Sequence, residues 1–94
     1  MKNSIEVRLS KFPGWHRGMK IFRLSLIDNM IYKLPIQKHS DKFCPQQNNI
    51  YVAAMNISVA ETKLRKRADE IIKSYNESEK RDKKHPIEPT FIMT

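Results

Sequence analysis

The side chains able to do chemistry are few and scattered. Cys44 is the only cysteine, and the three histidines stand at His16, His39 and His85. A zinc centre needs about four soft ligands at close spacing. The chain offers neither Cys-x-x-Cys nor His-x-x-x-His, so no metal or other cofactor is expected. A nucleophilic thiol needs a base and an orienting group beside it. His39, five residues before Cys44, is a thin basis for that, and Cys44 reads as a structural thiol. The acids Glu6, Asp28 and Asp41 stand far apart, and most of the others fall among Lys and Arg on one helix. Acid–base or metal-assisted catalysis calls for a cluster, so the expectation is a protein that is not an enzyme and has no small-molecule substrate.

Charge points elsewhere. The chain has 94 residues, 18 Lys+Arg, 10 Asp+Glu and a formal net charge of +8. Residues 1–42 carry a net +6, residues 43–60 none, residues 61–85 a net +3, and Glu88 subtracts one. The later segment is crowded with cations but largely self-compensated, as a solvated helix face is. The excess lies in the first 42 residues. Clustered Lys and Arg attract phosphate through counterion release, whatever base sequence is bound. Arg8, Arg23 and Lys33 are expected on one face of a sheet. Lys11, Trp15, His16, Arg17 and Lys20 are expected on a neighbouring loop. Trp15 suits either stacking on a base or plugging one end of a thin core.

The elements that must position these residues follow from hydropathy. Ile5, Val7 and Leu9 alternate with Glu6, Arg8 and Ser10, which is the period of a half-buried strand. The stretch 11–18 holds one Pro and both glycines of the chain, and reads as a loop. Residues 20–27 and 31–37 read as a hairpin turning at Asp28-Asn29. A two-residue turn drops Lys33 into the apolar row. A three-residue loop over 28–30 pairs Leu26 with Tyr32, Leu24 with Leu34 and Phe22 with Ile36. That register makes one face wholly apolar, and Asn29 suits the left-handed turn position. It leaves Ile27, Met30 and Ile31 at an exposed tip. Pro35 has no N–H for a ladder, so the strand around it is an edge. Residues 38–49 read as a polar loop and 50–55 as a fourth strand or a lead into the helix.

The helix is the clearest element. Ser58-Val59-Ala60-Glu61 fits a capping box. Ala60, Leu64, Ala68, Ile71, Ile72 and Tyr75 recur at helical spacing, and Glu61–Arg65, Lys66–Glu70 and Asp69–Lys73 are i,i+4 pairs. The expected fold is one α+β domain over 1–76: a three- or four-stranded antiparallel sheet with one long amphipathic helix on one face. Residues 77–94 are expected as a polar helix extension, broken at His85-Pro86, and a tail that is either free or docked. No apolar run reaches membrane-spanning length, and the N-terminus has no apolar h-region. With a lone thiol, that reads as cytoplasmic.

Over roughly residues 5–76 the layout of three strands then one helix is similar to that of the integrase arm-type DNA-binding domains, and His39-Ser40-Asp41-Lys42 faintly resembles a stretch of bacterial members. The apolar run at 50–55 and the missing glycines between strands depart from that pattern. The resemblance implies a sheet face that meets DNA. The expected function is non-catalytic docking on nucleic acid or on a nucleic-acid–protein complex. The alternative is a phage or mobile-element inhibitor, such as an anti-CRISPR protein, that blocks a host defence nucleoprotein by protein–protein contact.

Overall fold

The computed structural model describes residues 6–78 and 86–93. Ile5 of the first expected strand, and the helix extension and breaker expected over 79–85, lie outside the described residues. The fold is α+β. Strands β1 (Val7–Arg8), β2 (Lys20–Ser25), β3 (Ile31–Lys33), β4 (Lys42–Phe43) and β5 (Asn49–Ala54) precede helix α1 (Ile57–Ser78), and β6 (Thr90–Ile92) follows it. They form two sheets, one of four strands in the order β3-β2-β5-β6 and a ribbon of β1 with β4.

The main sheet is mixed, not wholly antiparallel. β2 runs against β3 and β5, whereas β6 runs parallel to β5. Parallel neighbours need a crossover, and α1 supplies it. The tail therefore docks on the core, and a boundary at residue 76 does not separate β6 from the domain. Asn48 fixes this return. At φ 65 its N–H donates to the Ile87 carbonyl at 2.7 Å. Its Oδ1 accepts the Ile87 N–H at 3.0 Å, and its own carbonyl accepts the Leu26 N–H at 2.8 Å.

The hairpin register differs from the expected one. Leu24 lies opposite Ile31, Arg23 opposite Tyr32, and Phe22 opposite Lys33. The turn is longer than three residues. The Asn29 N–H donates to the Ser25 carbonyl, and the Ser25 N–H donates to the Met30 carbonyl. The Ser25 hydroxyl accepts the Ile27 and Asp28 N–H groups, and Asn29 takes the left-handed conformation at φ 61. Lys33 thus enters the apolar row after all. β3 is an edge, where a long side chain reaches water while its stem covers apolar surface. Ile27 and Met30 are exposed at the tip, as expected, but Ile31 packs against the helix-side core.

Both faces of the main sheet are covered. Phe22, Leu24, Ile50, Val52 and Ala54 point at Ala60, Leu64 and Ala68 of α1. The cap of α1 is Asn56, not Ser58: Asn56 Oδ1 accepts the Val59 N–H at 3.0 Å. Arg65 holds α1 to the hairpin turn, donating to Asn29 Oδ1 at 2.8 Å and to Glu61. Glu70 pairs with Arg67 rather than with Lys66. On the opposite face, Ile21, Tyr51 and Ala53 meet Leu9, Phe12 and Ile36. Phe12, Phe43, Tyr51 and Phe91 stack there with ring centroids 5.2–6.4 Å apart. The first strand ends at Arg8 and turns into a 3-10 helix, Leu9–Lys11. It joins β4 and never pairs with the main sheet.

Candidate nucleic-acid interface

The structure divides the eight residues singled out in the sequence among three places. Arg8, Lys11, Trp15, His16 and Arg17 belong to an arm lying over the second core, built from β1, the 3-10 turn, the glycine-flanked loop and β4. Arg23 lies on the same face of the main sheet but inside the domain. Lys20 pairs with Ala54 and Lys33 with Phe22. Directly opposed residues share a face, so both lysines are on the helix side. The eight do not form one surface, and the sheet face expected to be open is covered by the arm.

Arg23 is already engaged. Its guanidinium carbon sits 4.4 Å from the centroid of the Tyr32 ring, and NH1 donates to Asn49 Oδ1 at 2.8 Å. The Tyr32 hydroxyl donates to Asp28 Oδ2 at 2.6 Å. That hydrogen bond is the main reason the Asp28 carboxyl titrates below its ordinary value and the Tyr32 phenol above its own. Asn49 is buried and spends its amide on the Gln46 and Gln47 carbonyls. The chain Asn49–Arg23–Tyr32–Asp28 therefore braces one end of the sheet.

The arm is different. The Leu9 and Ser10 N–H groups donate to the Asp41 and His39 carbonyls, which brings residues 37–42 alongside β1. This gathers Arg8, Lys11, Arg17, Lys38 and Lys42, five cations against Glu6 and Asp41. Arg8 stands directly opposite Lys42 across the ribbon, a like-charge pairing that destabilises a strand pair. Glu6 relieves it only in part, 3.7 Å from Lys42 with both side chains about half exposed. Asp41 is tied to its own loop: Oδ2 accepts the Gln37 and Lys38 N–H groups at 2.8 and 2.9 Å. Those two bonds, first among its neighbours, hold its carboxyl below the ordinary value.

Two hollows open on this arm. One, of about 370 Å³, is lined by Glu6, Val7, Arg8, Lys11 and Lys42. The other, of about 490 Å³, is lined by Trp15, Arg17, Gln37, Lys38, His39 and Ser40. Gly14 and Gly18, at φ 77 and 97, turn the chain on either side of Trp15 and Arg17 where a side chain would be strained. Trp15 plugs the second core, packing on it and donating its indole N–H to the Met19 carbonyl at 3.0 Å, and it also lines the larger hollow. His16 is exposed beside it but does not line that hollow.

Lys38, His39 and Lys42, with Gln37 and Ser40, are the lining residues that sequence reasoning missed. Their signal was two lysines in a polar stretch whose one acid is Asp41. What placed them was a ribbon of two residues a side, too short to leave a periodicity. Among the described residues no three His, Cys, Asp or Glu side chains gather as a metal site, and no helix is long and apolar enough to cross a membrane. The chain matches no protein-family model, no curated protein and no solved structure.

Proposed function

We propose that this protein is a non-catalytic binding protein that docks on nucleic acid through the basic arm. One observation carries the reading: five Lys and Arg side chains share the arm with two carboxylates, one of them bonded to backbone N–H groups, and Arg8 directly opposes Lys42. Self-repelling charge in a small exposed ribbon is relieved by a polyanion. Phosphates replace the salt counterions held by the lysines and arginines, and the release of those ions drives binding. The same reasoning sets α1 aside, because its five cations share the helix with four acids, Glu61, Asp69, Glu70 and Glu77, and its two arginines are paired.

Fluorescence anisotropy with labelled DNA and RNA across a salt series tests the proposal. Four or five phosphate contacts predict a fall in affinity of roughly a hundredfold or more between 50 and 200 mM salt. Failure to bind either polymer at low salt would overturn it. Capture of an intact host nucleoprotein after nuclease treatment would then favour the protein-directed inhibitor, acting through the same arm.

A further inference from the structure

The larger hollow of the arm differs from the smaller one in kind as well as size. The smaller is lined by three cations, one carboxylate and Val7. The larger sets an indole, two cations, an imidazole, an amide and a hydroxyl around one concavity. Trp15 is fixed there by its core packing and by its bond to the Met19 carbonyl. Its N–H is spent on that carbonyl, so the indole offers the hollow no donor and is held in place before any ligand arrives. Arg17 and Lys38 are both exposed at the rim. Among the described residues the side chains of Gln37, His39 and Ser40 make no hydrogen bond, so their donors and acceptors are available. Asp41 does not line the hollow, and its Oδ2 is held by the loop backbone.

A preset ring face, flanking cations and unspent polar groups are what an unstacked base on its sugar-phosphate needs. Every base has a π-face, and the cations track the backbone. A base inside a duplex already has both faces stacked and its pairing edge occupied, so it cannot enter a concavity. We infer that the hollow between Trp15, Arg17 and residues 37–40 is a pocket for one unpaired nucleotide, which gives the protein a preference for single strands over duplex. The inference rests on the proposed docking of nucleic acid on this arm, and adds which form is chosen and where.

The chain has one tryptophan, so fluorescence excited beyond the tyrosine absorption band reports Trp15 alone. The experiment is a titration of the full chain with an oligo-dT strand, with the same strand paired to oligo-dA, and with an abasic strand of equal phosphate number. The single strand should quench the fluorescence and bind about tenfold or more tighter than either competitor, the scale of one stacked base. Gln37→Ala, which leaves the indole and the core in place, should keep the salt dependence while weakening the single strand selectively. Equal or tighter binding of duplex or abasic strand, or binding without quenching, overturns the pocket and leaves the docking surface standing. No binding of any of the three at low salt overturns both.

Discussion

The main sheet has two covered faces, and they are held in different ways. On one, a 22-residue helix lays small and aliphatic side chains, Ala60, Leu64 and Ala68, against Phe22, Leu24, Ile50 and Val52. Its outer charges answer one another, as Arg65–Glu61 and Arg67–Glu70 show. On the other, segments far apart in sequence deliver single large residues to one aromatic cluster: Phe12, Phe43, Tyr51 and Phe91. The cover there is irregular, and its charges are answered only in part, by Glu6 at Lys42. A continuous helix can place its acids and bases at i and i+4. A patchwork cover has no such periodic partner, so any excess charge stays available to a ligand. The difference separates a face built for stability from one that combines stability with recognition.

The largest effects should come from the two cores themselves. Leu64→Ala and Phe12→Ala each remove a buried side chain and should each cost about 3 kcal/mol in denaturant unfolding. If the arm is integral, both variants unfold in one transition seen alike by far-UV circular dichroism and Trp15 fluorescence. Loss of the Trp15 signal in Phe12→Ala with the helix intact would break the comparison, making the arm a separate unit. Asn48→Ala should cost about 1–2 kcal/mol, because it leaves the Ile87 N–H without its partner and places alanine at positive φ. Asn48→Gly keeps the conformation and should cost less. At the helix start, Asn56→Ala should cost about 1 kcal/mol, while Ser58→Ala should be near neutral in the same melts.

Acid should act on the arm side. The folded carboxyl of Asp41 titrates below its ordinary value of 3.8. A depressed carboxyl contributes stability above the unfolded value and loses it as pH falls through the folded one. The 37–41 loop should therefore hold at neutral pH and loosen below about pH 3.8, as should the Asp28–Tyr32 contact. Hydrogen exchange of the Gln37 and Lys38 amides measures it. Asp41→Asn should remove that pH dependence at those two amides.

How much of this was legible in the sequence follows the same divide. The helix, its stripe and its inward face were readable because periodicity is local. So were the edge position of the strand near Pro35 and the left-handed Asn29. The hairpin register was misread because a wholly apolar row was preferred, whereas an edge strand tolerates Lys33 beside Phe22. The cap was misread because Asn56 stood two residues before a better-looking Ser58. The aromatic cluster was invisible, since Phe12, Phe43 and Phe91 sit in three unrelated stretches. For the candidate site, the charge partition pointed to residues 1–42. It put Arg8 on a sheet face with Arg23 and Lys33, and Lys11, Trp15, His16 and Arg17 on a loop with Lys20, but could not see that Lys20 and Lys33 turn to the helix side. Nor could it see that the loop at 37–42 completes the surface.

The most direct test of the arm as the contact is a matched pair of double variants in one salt-titrated nucleic-acid binding assay. Arg17→Gln with Lys38→Gln removes two positive charges from the arm, and Lys63→Gln with Lys66→Gln removes the same charge from the helix. The account predicts that the arm pair weakens binding and lowers the salt slope by about 2, with the helix pair close to wild type. An unchanged slope in the arm pair, or the larger loss in the helix pair, would contradict it.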